Sequence, residues 1–464
     1  MSIENLKHTT RRLSNGGMVL ILNVGSKISA EGTAMLQALH SRSLGGITHH
    51  LQQLIKRGAE SFMATFYVGY AHKSIGDCGF ATIFIEGVSM LAAKAIQDTR
   101  LYNGQEASTR YVDFSSQEFI DPIGSKISTT YLENMRSLYL DGFDATKKDL
   151  FKRYPMAKGL EKEDEKVYEK AINARAFDIT RSLLPSGAST NLAWSGNLRQ
   201  MADHIAMLRH HPLSEVREVA FAMEDALIEF FPSSFTKKRY EKTEEYNACA
   251  MQNYYYLDSK VEVDLLESHS GNTAMRWIDV DPYLMESYRR LFEMRPPKTE
   301  LPKFVGECAR AQFEFLLDFG SFRDIHRHRA LIQRMPLLTM QYGFEKWYMD
   351  EFPAGIRRKV NVMLKRIQKD LRFLEDSEIA QYYIPMGFNT PNRITGNIHA
   401  LTYLFELRAT STVHPTLASK AETMGRMLEK GLKKYGYVIH LEKNPTRFNI
   451  KRGEHDIIDL SKVA

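Results

Sequence analysis

The segment Asp98–Tyr111 (DTRLYNGQEASTRY) carries residues suited to binding a phosphate monoester. Its Asn-Gly step and small polar residues predict an extended loop after a helix end. Alternate side chains of an extended chain share a face, so Glu106, Ser108 and Arg110 would offer an acceptor, a hydroxyl and a guanidinium to one ligand. The small residues between them, which let backbone N–H groups approach a phosphate, are Ala107 and Thr109. A solvated loop with a Glu–Arg pair is the alternative interpretation.

A second candidate cluster, the HRHR sequence of 326–329, places two imidazoles and two guanidiniums side by side, with Asp324 just before them. Once the imidazoles are protonated, these groups repel one another unless an anion or carboxylates neutralise them. A phosphate or pyrophosphate would do so. A surface basic patch remains the alternative.

Many familiar catalytic motifs are absent from the sequence. It contains no GxGxxG, GxxxxGK, HExxH or GxSxG, which removes the Rossmann turn, the phosphate loop, the zinc-protease helix and the serine nucleophile elbow. The three cysteines, Cys78, Cys249 and Cys308, lie far apart without CxxC pairing, so neither a zinc ribbon nor a disulfide framework is available. We predict no metal site and expect a reducing, cytoplasmic setting.

Length and composition are those of an ordinary soluble globular protein. At 464 residues, with 43% apolar and 25% charged residues, the chain can bury a sizeable core without disulfides. The 62 Lys and Arg against 56 Asp and Glu give a net charge of +6, which fits an anionic small ligand. Nucleic-acid binding is a minority interpretation because no concentrated basic run is present. No stretch approaches the roughly 18 apolar residues of a membrane span, and we expect an unprocessed chain.

Two parts of the sequence share landmarks in the same order. The stretches from Met18 and from Lys260 each predict a strand, a polar turn and then Thr-Ala-Met. FATIFIEGVSMLAAKAIQDTR and FEFLLDFGSFRDIHRHR are each an apolar run that passes into a short helix. Proline and asparagine are twelve residues apart in both parts, at positions 185 and 197 and at positions 385 and 397. These echoes predict an internal duplication with a boundary near 256–260, against the alternative that short apolar strands match by accident.

Helical patterns lie between these landmarks. The predicted helices are Ile47–Lys56, Leu160–Asn173, Leu213–Phe231 and Ile356–Leu374. The predicted fold class is α+β, with two similar units that each pack a small sheet with helices.

These residues together resemble the flavin-dependent thymidylate synthases, whose signature is RHRxxSxNExSxRY. The first part reads DTRLYNGQEASTRY and keeps the ExSxRY half, whereas the second reads RHRALIQRMPLLTM and keeps the RHR half. AHKSIGD, which begins at Ala71, resembles the family's GHxxPxE. The resemblance implies two tandem copies of the family fold, residues 1–257 and 258–464.

The resemblance also implies site residues. Arg408, eleven residues after Asn397, would contact the pyrimidine, favour ionisation at its N3 and be the catalytic residue. The implied substrate-binding residues are Glu106, Ala107, Ser108, Thr109, Arg110, Arg181, Asp324 and Arg327. The implied flavin-contacting residues are His72, Ser74, Asp77, Asn197, Arg199, Arg327, His328, Arg329, Asn397 and His399.

The two copies have lost complementary parts of the family site. In the family, one chain of a homotetramer gives RHR and the pyrimidine-contacting arginine, and another gives ExSxRY and a second phosphate-side arginine. Here each set survives in one copy, which is what one working site per chain would permit. The resemblance therefore implies a tandem fusion with a composite site between the copies, and a homodimer that forms a pseudo-tetramer. A pseudoenzyme that keeps its folding residues is the alternative.

The implied reaction is reductive methylation of deoxyuridine monophosphate (dUMP) to dTMP. Methylenetetrahydrofolate would give the carbon, reduced FAD the hydride, and NADPH would reload the flavin. No protein nucleophile is required, and none of the three cysteines follows a proline, as the thiolate of the cysteine-dependent synthases does. Asp324 stands where the family has a nucleotide-holding Gln, so one-carbon transfer to another pyrimidine deoxynucleotide stays open, as does non-catalytic flavin or nucleotide binding.

Overall fold

A computed structural model gives the fold. It describes residues 8–22, 28–41, 46–63, 73–107, 112–156, 162–255, 272–370, 377–442, 450–453 and 456–459. The chain divides into two compact units that do not follow chain order: the first unit comprises residues 1–120 and 187–253, and the second comprises residues 121–186 and 254–464.

The described residues form strands, all paired antiparallel, and helices. The strands are β1 His8–Arg12, β2 Met18–Leu22, β3 Phe80–Ser89, β4 Asn103–Glu106, β5 Ser189–Asn197, β6 Thr273–Val280, β7 Ala309–Asp318, β8 Ile332–Arg334, β9 Asn389–Asn397, β10 Ile450–Gly453 and β11 Asp456–Asp459. The helices are α1 Ala30–His40, α2 Gly46–Arg57, α3 Glu60–Phe62, α4 Met90–Gln97, α5 Lys126–Arg153, α6 Lys162–Thr180, α7 Leu198–Leu208, α8 Ser214–Phe230, α9 Glu241–Tyr255, α10 Pro282–Ser287, α11 Arg289–Met294, α12 Phe319–Ile325, α13 Lys346–Glu351, α14 Ala354–Asp370, α15 Ser377–Ala380, α16 Ile398–Arg408 and α17 Pro415–Leu432. The 3₁₀ turns are Lys73–Cys78, Arg181–Leu183, Lys303–Glu307, Gln381–Tyr383 and Lys433–Tyr435.

The first unit is built on a five-stranded antiparallel sheet in the order β1-β2-β3-β5-β4. Alternate side chains of its central strands, such as Ile83, Ile85 and Trp194, are fully buried, because every second residue of a strand points to the same face. Helices α4, α7 and α8 pack against the strands and one another. A bulge interrupts the β3 ladder at Gly87, whose φ of +68° favours glycine.

The second unit is built on a four-stranded antiparallel sheet in the order β6-β7-β9-β8. Its buried face carries Ala311, Phe313, Phe315 and Ile394. Helices α16 and α17 pack together, and α17 lies against β6 and β7, while α5 and α6 pack as a pair. Strands β10 and β11 form a separate hairpin.

Four strands run directly into helices through an N-cap residue. Ser89, Asn197, Asp318 and Asn397 each end a strand, and the side chain of each accepts a hydrogen bond of 2.9–3.0 Å from the backbone N–H three residues later. Such caps satisfy donors that a helix start leaves open, so they fix where α4, α7, α12 and α16 begin. The strand-to-helix transitions predicted after both apolar runs are confirmed.

The α+β prediction is confirmed, and so are the four predicted helices, with shifted ends, as α2, α6, α8 and α14. The second helix runs further than predicted, to Thr180. The Thr-Ala-Met echo is wrong as a structural equivalence: residues 33–35 lie inside α1, whereas residues 273–275 begin β6. A match of only three residues carries too little local preference to select helix or strand, so the surroundings of each stretch decide its conformation.

The predicted strand from Lys260 and the boundary near 256–260 lie outside the described residues. The copy ranges 1–257 and 258–464 stay a prediction, because compactness groups residues by packing and not by descent. In the described part of the chain, no helix is both long enough and apolar enough to cross a bilayer.

Candidate functional site

The second unit brings His328 and Arg408 into direct contact. Nε of Arg408 donates a 2.7 Å hydrogen bond to Nε2 of His328. A guanidinium has no acceptor, so Nε2 carries the lone pair and the imidazole is neutral, with its proton on Nδ1. Burial, followed by the charge of Arg408, lowers the pKa of His328 from 6.5 to about 3. The histidine therefore stays uncharged at neutral pH.

The two strand-to-helix transitions of the second sheet explain why His328 and Arg408 are in contact. Strands β7 and β9 are antiparallel neighbours, with Asp318 opposite Asn389 and Arg310 opposite Asn397. Helices α12 and α16 therefore start at opposite ends of the strand pair, and both pack back against it. Seven and eleven helical residues span roughly 10 and 16 Å, which together match the roughly 30 Å of a nine-residue strand. The helix ends that carry His328 and Arg408 thus meet over the sheet.

The surroundings of this pair are positively charged. Arg327 is exposed, and Arg408 and Asp324 are half-buried. Burial lowers the pKa of Arg408, and the charge of Asp324 opposes that effect. In the described ranges, neither the guanidinium of Arg327 nor that of Arg408 forms an ion pair with a carboxylate. With His328 neutral, two guanidiniums face one nearby carboxylate, and the cluster retains charge with which to hold an anion.

Two side chains that sequence reasoning missed hold this cluster in place. Nε2 of Gln333, on β8, donates to the backbone oxygens of Ile325 and His328, at 3.1 and 2.7 Å. The ring of Tyr403 lies 5.7 Å from that of His328, centroid to centroid. Gln333 falls inside the second signature segment, but nothing in the linear pattern indicates that its amide bonds backbone five and eight residues away.

The other predicted residues of the second unit lie near strand and helix ends. Asn397 caps α16, and His399 Nδ1 donates to the backbone oxygen of Leu301 at 2.8 Å. A Cβ on Gly306 would lie 2.6 Å from Nδ2 of Asn397, so only glycine allows this close approach. Arg329 is half-buried. Their flavin-contacting roles stay predictions.

Arg181 lies in the interior of the second unit. It is 8% exposed, and its Nη2 donates to Oγ of Ser321 at 3.2 Å. The prediction that Arg181 binds the substrate phosphate is not tested by this contact, but the position is far less accessible than that of Arg327.

In the first unit, the structure places the start of the ExSxRY segment at the end of β4. Glu106 accepts a 2.8 Å hydrogen bond from Nε2 of Gln97, and the N–H of Ala107 donates to the oxygen of Asn191 at 2.8 Å. The rest of the segment lies outside the described residues, namely Ser108, Thr109, Arg110 and Tyr111. Their shared face stays a prediction.

Two of the predicted flavin-contacting residues of the first unit form an ion pair. Arg199, on α7, donates to both carboxylate oxygens of Asp77, at 2.8 and 2.7 Å. Asn197 caps the same helix. Ser74 lies in the 3₁₀ turn that carries Asp77, and His72 lies outside the described residues.

Two basic residues of the first unit are buried and paired with carboxylates. Arg209, which the predicted duplication places one residue out of register with Arg408, is buried and donates to Glu224 at 2.9 Å and Glu244 at 2.7 Å. Lys94 is also buried and pairs with Asp98 at 3.5 Å. These positive charges are neutralised inside the protein. Within the described residues, no group of three His, Cys, Asp or Glu side chains is placed to hold a metal ion.

Comparison with known proteins shows what parts of this chain are similar to. Residues 30–233 match the family model described as thymidylate synthase complementing protein. The chain is 26% identical to the UPF0159 protein of Chlamydia pneumoniae, over 80% of this chain and 78% of that protein. It is also 26% identical to the UPF0159 protein of Chlamydia muridarum, with 79% and 78% covered. A UPF0159 protein of Thermoplasma acidophilum is 24% identical, with 77% and 84% covered. Residues 30–233 therefore match the thymidylate synthase complementing proteins, the flavin-dependent thymidylate synthase family that the signature residues resemble.

Proposed function

We propose that this protein catalyses flavin-dependent reductive methylation of dUMP to dTMP, with methylenetetrahydrofolate as carbon donor and NADPH as reductant. The family match supports a thymidylate synthase-related function. The observation that carries the finer proposal is the contact between Arg408 and neutral His328. It presents a half-buried guanidinium that no carboxylate in the described ranges neutralises.

Such a guanidinium suits the chemistry. C5 of uracil attacks the donor carbon as a nucleophile when the ring carries negative charge, as it does after ionisation at N3, and a preorganised donor in a partly buried site stabilises that charge more than water does. One well-placed donor contributes about 2.7 to 4 kcal/mol to lowering such a barrier. Arg327, exposed beside the pair, would meet the phosphate of the nucleotide.

The donor set also fits a flavin dinucleotide. Its pyrophosphate is a dianion, for which a guanidinium such as that of Arg329 and an amide such as that of Asn397 are suitable partners, with His399 two residues after Asn397. The paired Arg199 and Asp77 would take part from the first copy. When bound, reduced FAD supplies the hydride, while the residues of this chain orient the nucleotide and exclude water.

We further propose that the chain is a tandem fusion of two family copies, and that a homodimer rebuilds a pseudo-tetramer. In support, both sheets contain the same strand order, β3-β5-β4 and β7-β9-β8, entered from a 3₁₀ turn. Cross-strand side-chain hydrogen bonds recur at matching positions, Thr82 with Ser195 at 2.7 Å and Gln312 with Thr395 at 3.0 Å. The composite site would take ExSxRY from the first copy and RHR with Arg408 from the second.

The pairing of Arg209 with carboxylates in the first unit agrees with one active site per chain. Arg209 is bound by two carboxylates there, so it cannot offer its charge to a ligand as Arg408 does. With one active site per chain, residues of the lost second site need not bind a ligand and can contribute to stability instead.

The deciding experiment is product analysis. The purified protein is mixed with dUMP, methylenetetrahydrofolate and NADPH, and the nucleotide is identified by mass spectrometry. We expect dTMP and flavin absorbance in the purified protein. A yellow protein without NADPH oxidation would favour a non-catalytic binder.

One alternative acceptor has a specific observation in its favour. The charge of Asp324 raises the pKa of Arg408. A carboxylate at that place would accept hydrogen bonds from a base amino or hydroxyl group. The same assay with other pyrimidine deoxynucleotides tests this, because a product from one of them and none from dUMP would reassign the substrate.

A further inference from the structure

A buried hydrogen-bond chain in the second unit begins at Arg181. Its Nη2 donates to Ser321 Oγ at 3.2 Å, and Thr416 Oγ1 donates to the same oxygen at 2.7 Å. Ser321 Oγ lies 2.9 Å from Nδ1 of His414, whose Nε2 lies 3.0 Å from the backbone oxygen of Asp178. All of these side chains are at most 8% exposed.

The donors and acceptors fix the two ends of this chain. The carbonyl of Asp178 can only accept, so Nε2 of His414 carries its proton and Nδ1 of the neutral ring accepts. Two hydroxyls lie 2.9 Å from Nδ1, those of Ser321 and Thr416. A guanidinium can only donate, so Ser321 Oγ accepts from Arg181 and is the atom through which Arg181 reaches the other two side chains.

A buried carboxylate completes the network. Asp318 Oδ2 accepts from the N–H of Ser321 at 2.9 Å and from the hydroxyl of Tyr348 at 2.7 Å. Burial alone would lower the pKa of Arg181, but Tyr348 and the carboxylates around it outweigh burial and raise that pKa. Arg181 is therefore a charged residue whose charge is stabilised by groups of its own unit.

The network joins the two segments that deliver the Arg408–His328 pair. Ser321 lies in the first turn of α12, which ends just before Arg327 and His328. His414 is the N-cap of α17, and only residues 409–413 separate it from Arg408. Arg181 thus contacts the start of α12 directly and reaches the start of α17 through Ser321 and His414.

We propose that Arg181 is a positioning residue, which holds α12 and α17 through Ser321 and His414 so that Arg408 meets His328, and that it does not itself bind the substrate phosphate. This inference rests on the proposed function for its catalytic consequence only. It assigns to Arg181 a different role from the one that the resemblance implied.

The test uses Arg181→Met and Ser321→Ala in the full-length protein, with Ser182→Ala as the matched control. Ser182 is also fully buried, but its hydroxyl bonds only the nearby backbone oxygen of Ile179. The first readout is the imidazole ¹⁵N spectrum of His328 in the ligand-free protein. The second compares binding of dUMP with binding of deoxyuridine, which lacks the phosphate.

We expect Arg181→Met and Ser321→Ala to shift the His328 signals alike, and the control to leave them unchanged. Turnover should fall by up to about 100-fold, as for other misplacements of about 1 Å, while the ratio of dUMP to deoxyuridine affinity stays constant. The double variant should be no worse than either single variant. If Arg181→Met does not fold, Ser321→Ala decides alone, because it removes one hydroxyl only.

Two results would overturn the proposal. One is an unchanged His328 spectrum in both variants. The other is a roughly 10- to 100-fold loss of dUMP affinity in Arg181→Met with deoxyuridine affinity intact, the cost of a lost charged hydrogen bond to phosphate. A wild-type protein that makes no dTMP would refute the proposed function instead, since the spectrum is recorded without ligand.

Discussion

Replacing His328 with glutamine should flatten the pH dependence of stability. In the folded protein, burial and Arg408 hold the pKa of His328 at about 3, against 6.5 in the unfolded chain. As the pH falls below about 6.5, the unfolded state takes up a proton that the folded state refuses, so the wild type loses stability. Between about pH 7.5 and pH 5 this amounts to about 2 kcal/mol, and it reaches about 4 to 5 kcal/mol near pH 3.

The assay is urea unfolding of the wild type and His328→Gln at several pH values, followed by circular dichroism. Glutamine can still accept from Arg408 Nε, so the variant should fold, and the other titrating groups are common to both proteins and cancel in the comparison. We expect the two free energies of unfolding to converge by about 2 kcal/mol as the pH falls to about 5. Parallel curves would mean that His328 is protonated in the native state, and the neutral-imidazole reasoning would be wrong.

Three further substitutions separate catalysis, binding and stability. Arg408→Ala should lower dTMP formation by roughly 10²- to 10³-fold while flavin absorbance is retained; unchanged turnover would refute the catalytic role. Arg110→Ala should raise the Kd for dUMP by roughly tenfold or more, the value of a charged hydrogen bond, and a wild-type Kd in calorimetry would remove Arg110 from the phosphate site. Arg209→Met should destabilise the protein by about 1.5 to 3 kcal/mol, the value of a buried hydrogen bond between charged groups, because Glu224 loses Arg209 but keeps its second partner, Arg239. Denaturation measures this last effect, and a loss below about 1 kcal/mol would contradict the buried ion pair.

The charge clusters were visible in the sequence, but their chemistry was not. The run from His326 predicted mutual repulsion of imidazolium and guanidinium groups, to be relieved by an anion. In the structure the ring of His326 stacks 5.2 Å from that of Phe322, and His328 stays neutral beside Arg408. Protonation depends on burial and on neighbours distant in the chain, which linear spacing does not report.

Local structure was the most predictable part. Apolar runs that pass into helices, and the asparagines that begin α7 and α16, are set by side-chain periodicity and by capping within a few residues. The Thr-Ala-Met echo failed because so short a match has no periodicity, and its conformation depends on packing. The same limit applies to α5 and α6, which the contacts group with residues after 253 although they precede β5 in the chain.

The sequence by itself determined the α+β class, the strand-to-helix transitions and the signature residues of the family, since these depend on residue type and near neighbours. Only the tertiary structure decided that Arg408 lies 2.7 Å from a histidine 80 residues earlier, that Arg181 hydrogen-bonds a buried serine, and that Arg209 pairs with carboxylates inside the protein. A guanidinium has the same charge in every sequence context. Whether it meets a carboxylate, a hydroxyl or a ligand depends on which elements fold against it.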